Sequence, residues 1–322
     1  MELEEKISKI KNGVEEIITE EELKQVIKKK NPRVYVGYEP SGKIHLGHAL
    51  SVGKLAEMQS LGFNVVVLLA DLHAYLNGKG SLDKIREIAE YNRRCFIALG
   101  LSEENTEFVY GSEIQLSGEY FLNVQKLALQ TTLLRAKRSM DMIGRKEENP
   151  KVARVLYPLM QVIDIVTLNV DVAMGGMDQR KIHMLARDNL PKIGYSPPVC
   201  IHLPLLHGLD GDEKMSSSKE NFIAIDDEPR VIRKKLRKAY CPAASIEKNP
   251  VMEIYKYHIF KKFSNVTITR PKKYGGNLTF ESYEDLEKAY LKNEIHPQDL
   301  KESAANYLIE ILSEARERIK EG

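Results

Sequence analysis

Cysteine is scarce: Cys95, Cys200 and Cys241 are the only three in 322 residues, and none forms a CxxC pair. That excludes a disulfide framework and offers no zinc-ribbon spacing, so all three are read as small buried apolar residues. No apolar run approaches the roughly 20 residues that a membrane helix needs, so no membrane partner is expected. The opening residues, Met1-Glu2-Leu3-Glu4-Glu5, lack the basic start and apolar stretch of a signal peptide, and the expected location is cytoplasmic. There is no internal repeat, no low-complexity tract, no G-x-G-x-x-G fingerprint and no Walker P-loop. A large charge excess is also missing. The net charge is +2, but residues 231–322 hold 18 Lys and Arg against 13 Asp and Glu, whereas the rest holds 30 against 33. A basic C-terminal region suits a polyanionic partner.

What remains is a folded chain, 43% apolar and 29% charged, long enough for two domains. Thr19-Glu20-Glu21-Glu22 has capping-box spacing and opens a helix that Asn31-Pro32 ends. Arg33 to Tyr38 reads as a strand, Leu46 to Leu61 as a helix, and Asn64 to Ala70 as a strand covered on both faces. A helix over 82–99 and a strand near 107–110 complete a β-α-β-α-β rhythm. This predicts an α/β fold with a doubly wound parallel sheet. Residues 112–150 interrupt the rhythm as a helical insertion carrying Arg135, Lys137 and Arg138. The alternation resumes with a strand over Val170 to Ala173, the pair Gly175-Gly176, and a helix from Met177 to Asn189. From Pro229 the chain reads as mostly helical, including one helix from Ser303 to Lys320. The expected domains are 1–228 and 229–322.

Two segments carry chemistry. Pro40-Ser41-Gly42-Lys43-Ile44-His45-Leu46-Gly47-His48 follows the first of these strands and opens a helix. A helix N-terminus presents free N–H groups and partial positive charge, and His45 and His48 share its first turn, so phosphate oxygens are a natural partner. Lys214-Met215-Ser216-Ser217-Ser218 follows a polar loop with Gly208 and Gly211. A lysine with three hydroxyls can close over a triphosphate and stabilise charge on departing pyrophosphate. A third feature is the buried-type helix Val152 to Leu168. Tyr157, Gln161 and Asp164 form its one polar stripe, and a buried stripe needs partners. Pro158 either kinks this helix or marks its first turn.

In this order and spacing the two motifs resemble the HIGH and KMSKS signatures of class I aminoacyl-tRNA synthetases. With Tyr35-Val36-Gly37-Tyr38-Glu39, Leu69-Ala70-Asp71-Leu72-His73-Ala74-Tyr75 and Gly175-Gly176-Met177-Asp178-Gln179-Arg180, the chain resembles the tyrosyl-tRNA synthetases of the archaeal/eukaryotic type. The KMSSS form and the short C-terminal region depart from the bacterial tyrosyl enzymes. The resemblance implies a Rossmann-like domain of the HIGH superfamily and an anticodon-binding C-terminal domain. It implies a homodimer formed through the insertion. The expected substrates are ATP with Mg2+, L-tyrosine and tRNA(Tyr), with no tightly bound cofactor and no metal site.

The resemblance also assigns residues. Gly42, His45, Gly47, His48, Lys214 and Met215 would bind ATP, with Ser216, Ser217 and Ser218 on the pyrophosphate. Tyr35, Glu39, His73, Tyr157, Gln161, Asp164 and Gln179 would form the amino-acid pocket. Asp164 and Tyr35 would meet a phenol oxygen, and Tyr157, Gln161 and Gln179 the α-ammonium group. Arg135, Lys137, Arg138, Arg180 and Lys181 would hold the tRNA acceptor end, and Tyr274, His296 and Asp299 the first anticodon base. Asp71 is expected near substrate or as a helix cap. A tryptophanyl enzyme, a small-molecule nucleotidyltransferase and a non-catalytic RNA-binding relative are the rivals. An indole N–H, having no lone pair to offer Tyr35, argues against the first.

Overall fold

The computed structural model describes residues 2–140, 151–212, 214–217 and 219–321. It divides into two compact units, Met1–Ser41 with Ser51–Pro204, and Gly42–Leu50 with Leu205–Gly322. This division falls upstream of residue 228 and sends the first motif from Gly42 onward to the second unit. Residues 141–150 and Ser218, part of the expected insertion and of the serine loop, lie outside the described residues.

The first unit holds a six-stranded sheet: β1 Glu16–Ile18, β2 Arg33–Tyr38, β3 Asn64–Leu69, β4 Thr106–Tyr110, β5 Val172–Gly176 and β6 Val199–Leu203. Their order is β1-β6-β5-β2-β3-β4, parallel except for the antiparallel edge strand β1. Chain order reverses between β2 and β5, which opens a crevice at their carboxyl ends. Val65 to Leu69 are all buried, as a strand sandwiched between helices requires. Thr19 makes both bonds of its capping box and starts the helix Glu20–Ile27. Ser81, Ser117 and Thr132 cap the helices Leu82–Ala98, Gly118–Leu129 and Leu133–Ser139.

Three expectations change. The strand expected over Val170 to Ala173 is β5, which runs on through Gly175 and Gly176. Both glycines are strand residues, and the missing side chain of Gly175 leaves room for Gln179. Pro158 lies inside the helix Val152–Thr167, so it does not mark a first turn. The single C-terminal helix is two, Pro297–Ile311 and Ser313–Glu321, separated at Leu312.

In the second unit, Gly42–Leu50 is held against residues 222–226. His45 bridges Ala224, Leu46 N–H donates to the Ile223 carbonyl at 3.1 Å, and Ile225 N–H donates to the Ile44 carbonyl at 3.0 Å. Prolines occupy the first turns of the helices Pro229–Lys238, Pro250–Ile254 and Pro297–Ile311, where a missing N–H costs nothing. Ile232, Leu236, Tyr255, Leu300, Ala304 and Leu308 are buried in its core. A two-stranded hairpin, β7 Val266–Ile268 with β8 Leu278–Phe280, was not expected from the sequence. Among the described residues no helix is long and apolar enough to cross a membrane.

Candidate active site

The polar stripe of helix Val152–Thr167 faces β2. Asp164 is fully buried, and its Oδ1 accepts from Gln115 Nε2 at 2.8 Å and lies 2.8 Å from Tyr120 Oη. Burial pushes its carboxyl up to about 7, although those two bonds oppose the shift. Gln115 Nε2 also lies 3.2 Å from His73 Nδ1, so that nitrogen accepts and the His73 proton sits on Nε2. Burial holds His73 neutral, with its pKa pushed down to about 4. Four buried atoms around this point, Tyr35 Oη, Asp164 Oδ2, His73 Nε2 and Gln115 Oε1, have no hydrogen-bond partner among the described residues. Asp164 Oδ2 and His73 Nε2 stand 3.9 Å apart. Buried polar atoms rarely stay unpaired, and Tyr35 Oη with Asp164 Oδ2 defines a place for a ligand's polar group, whereas Gln115 Oε1 faces Gly111.

Glycines clear the floor of this site. A Cβ on Gly37 would sit 2.9 Å from Tyr35 Oη, and one on Gly175 would sit 2.8 Å from Gln179 Cγ. Further along the stripe, Gln161 Nε2 donates to Gln179 Oε1 at 2.9 Å, and Tyr157 Oη donates to Glu39 Oε2 at 3.4 Å. Asn77 Nδ2 donates to the same Glu39 oxygen at 2.5 Å. All seven pocket residues named from the sequence therefore lie in the first unit along one polar seam. Gln115 and Tyr120 were missed, because they come from the insertion, whose pattern signals only helix. Asp71 turns away from the seam. It accepts from Ser112 N–H at 2.7 Å and Ser112 Oγ at 2.6 Å, and pairs with Arg86, so its work is holding two helix starts together.

In the second unit the two motifs meet. Gly42 has a φ of +154°, and a Cβ there would come within 3.3 Å of Ser217 Cβ. Gly47 N–H donates to His45 Nδ1 at 3.1 Å, and His45 N–H donates to His48 Nδ1 at 3.2 Å. Both Nδ1 atoms accept, so both protons sit on Nε2 and both rings are donors there. Burial, then His48 and Lys214, push His45 down to about 2; burial and Lys214 push His48 down to about 4. The rings are neutral donors, not cations. Asn221 ties the serine loop: its Oδ1 accepts from Ser216 N–H at 3.0 Å, and its Nδ2 donates to the Asp210 carboxylate at 3.1 Å. Met215 is buried, with its N–H on the Leu206 carbonyl at 2.7 Å, and Lys214 bridges His207.

Residues 27–313 match the sequence model of the class I tRNA synthetases (W and Y). The chain is 60% identical over 320 residues to a tyrosine–tRNA ligase of Methanopyrus kandleri, covering 99% of each. The solved tyrosyl-tRNA synthetase of Archaeoglobus fulgidus, complexed with L-tyrosine, superposes with a TM-score of 0.93 at 53% identity, covering 99% of this chain and 100% of that one. The Pyrococcus horikoshii enzyme, also complexed with L-tyrosine, has a TM-score of 0.93 at 34% identity, covering 100% and 97%. The chain belongs to the class I tyrosine–tRNA ligases.

For a tyrosine–tRNA ligase the basic residues matter next, and their settings differ. Lys137 and Arg138 are exposed, while Arg135 is paired with Asp188 at 2.8 Å. Arg180 is held by both oxygens of Glu16, at 2.7 and 2.9 Å, and Lys181 beside it is half-buried. His296 caps helix Pro297–Ile311, its Nδ1 accepting from Gln298 N–H at 3.2 Å, with Asp299 in the first turn. Tyr274 is 62% exposed. Arg270 fastens the two segments together, donating to the Gly276 carbonyl at 2.8 Å and the Glu294 carbonyl at 2.6 Å. His296 also lines a groove of about 780 Å³ with Arg230, Arg233, Lys234, Arg237 and Lys301. Those five cations were not singled out from the sequence, although the run Arg233-Lys234-Lys235-Leu236-Arg237-Lys238 was a readable signal.

Proposed function

We propose that the seam around Asp164 binds the side chain of L-tyrosine and that the two motifs activate it with ATP. The observation that carries this reading is the pair of unpartnered buried atoms Asp164 Oδ2 and Tyr35 Oη. A phenol hydroxyl donates one hydrogen bond and accepts another, and it suits Asp164 Oδ2 as acceptor with Tyr35 Oη as donor. An indole N–H only donates and leaves Tyr35 unpaired, which disfavours tryptophan. Tyr157, Gln161, Gln179 and Glu39 line the other end, where oxygen acceptors suit an α-ammonium group.

The reaction proposed is attack of the tyrosine carboxylate on the α-phosphate of Mg-ATP, which releases pyrophosphate. The nucleophile is already ionised, so positioning and charge stabilisation supply the catalysis. His45 and His48 donate from neutral Nε2–H groups to phosphate oxygens, and Gly42 and Gly47 admit the nucleotide closely. Lys214 supplies the positive charge for the departing pyrophosphate. Ser216 and Ser217 add hydroxyl donors, as would Ser218. A ribose hydroxyl at the tRNA 3′ end then takes the tyrosyl group from the adenylate.

For tRNA(Tyr), the groove cations and exposed Lys137 and Arg138 suit phosphate contacts, and Tyr274, His296 and Asp299 suit an unpaired base. Arg180 serves the protein's own Glu16 first. Homodimerisation is supported by an apolar patch on the insertion helices, where Phe121, Leu129 and Leu133 are 65%, 85% and 69% exposed. A cytoplasmic site of action fits these substrates.

The test is amino-acid-dependent pyrophosphate–ATP exchange with tyrosine, tryptophan and phenylalanine, without tRNA. Exchange with tyrosine alone is expected. Exchange led by tryptophan would overturn the pocket assignment.

A further inference from the structure

A second polar chain, two buried histidines and a half-buried glutamate, runs beside the pocket, and none of its members belongs to the residues assigned so far to substrate. His202 on β6 stands opposite Glu16 on β1 and opposite Gly175 on β5, one row across the sheet. Directly opposed residues share a face. His202 Nδ1 lies 2.9 Å from Glu16 Oε2, and His202 Nε2 lies 3.0 Å from His183 Nδ1. Both rings are buried, His202 fully and His183 to 1% exposure.

Hydrogen-bond logic fixes the protons. Glu16 is held in its ionised form by Arg180 and accepts only, so His202 Nδ1 carries a proton. His202 Nε2 is then bare and accepts from His183 Nδ1–H. His183 is neutral, because burial and the neighbouring His202 push its pKa down to about 3. The chain therefore has one direction, His183 to His202 to Glu16.

Its two ends bracket Gln179. Glu16 binds Arg180, the next residue in the chain, through both oxygens. His183 lies one helical turn further on. A Cβ on Gly175 would meet Gln179 Cγ at 2.8 Å and His183 Cε1 at 3.5 Å, so the Gln179 stem and the His183 ring meet over the same glycine. Gln179 in turn accepts from Gln161.

We propose that Glu16, His202 and His183 are positioning residues for amino-acid binding, a relay that seats Gln179 at the ammonium end of the pocket. This rests on the reading of that end given above. Among the described residues of the first unit, the relay side chains bond neither Tyr35 Oη nor Asp164 Oδ2. Its loss therefore weakens recognition of the amino group alone.

Glu16→Gln is the sharpest perturbation, because either amide orientation breaks one arm. With its oxygen toward His202, the amide NH2 faces the Arg180 guanidinium. Reversed, it donates to His202 and inverts the relay. Exchange kinetics would be measured on the full chain for wild type, Glu16→Gln, His183→Ala and His183→Asn. Inhibition by 3-(4-hydroxyphenyl)propionate, tyrosine without its amine, would be measured alongside.

Glu16→Gln and His183→Ala are expected to raise KM for tyrosine about five- to tenfold. KM for ATP and the inhibition constant of the amine-free analogue stay unchanged. His183→Asn, whose amide N–H stands where Nδ1–H stood, recovers most of the loss. Equal shifts in all three constants, or a lowered Tm with KM for tyrosine unchanged, would overturn the relay. Failure of the pocket reading has a different signature: the wild type itself would show no exchange with tyrosine.

Discussion

Replacing Asp164 by Asn tests the phenol site with little change in shape. The amide oxygen can still accept from Gln115 Nε2 and Tyr120 Oη, which both reach Oδ1 at 2.8 Å, so the local scaffold is kept. What changes is the group that faces the ligand: the charged acceptor Oδ2 becomes an amide NH2, which can only donate to the phenol oxygen. A hydrogen bond to a charged partner is worth about 1.5–3 kcal/mol and a neutral one about 0.5–1.5. The difference, about 1–2 kcal/mol, corresponds to a fall of about 5- to 30-fold in kcat/KM for tyrosine. Phenylalanine has no phenol and gains nothing from the carboxylate, so its kcat/KM holds or rises. Asp164→Asn therefore narrows the tyrosine-to-phenylalanine ratio by at least that factor, read by exchange kinetics with both amino acids. The wild-type carboxyl is pushed up to about 7 by burial. Below that pH it is protonated, and the charged acceptor is lost. Tyrosine affinity should thus fall about two- to fourfold from pH 7 to pH 6, and this slope should vanish in Asp164→Asn. An unchanged tyrosine-to-phenylalanine ratio in the variant, or equal losses for both amino acids, would refute the reasoning.

Three other outcomes are expected. Lys214→Ala lowers kcat for exchange by about 10²–10³ and leaves KM for tyrosine in place, because its charge serves the departing pyrophosphate; a change confined to KM would contradict this. Arg233→Glu with Arg237→Glu raises KM for tRNA at least tenfold (an order-of-magnitude figure) and flattens its salt dependence, measured by aminoacylation at two ionic strengths. If the proposed homodimer forms through the insertion, wild type sediments as a dimer and Leu129→Glu as a monomer at micromolar concentration; a monomeric wild type would contradict the proposal.

The parallel core of the fold was legible because its signals are local. Val-rich runs bounded by helices gave β2, β3 and β4 nearly to the residue, and Thr19 gave its capping box. β5 was displaced because Gly175 and Gly176 carry turn signals in one dimension. The room that Gly175 leaves for Gln179 exists only in three. β1 is three residues long and pairs at the sheet edge, too short for any periodicity to mark it, so Glu16 stayed invisible. Gln115 and Tyr120 were hidden for a related reason: their role comes from the approach of the insertion to helix Val152–Thr167. The stripe of Tyr157, Gln161 and Asp164 was readable because polar residues on an apolar helix stand out by contrast. The neutral state of His45 and His48 was not readable, since it follows from burial and from two backbone N–H bonds.

The most direct measurement is a crystal structure of the protein with L-tyrosine. The phenol oxygen is expected within hydrogen-bond distance of both Asp164 Oδ2 and Tyr35 Oη, with the amine against Gln161 and Gln179. A tyrosine bound with its ring reversed, or one that leaves Asp164 Oδ2 unpaired, would contradict that placement.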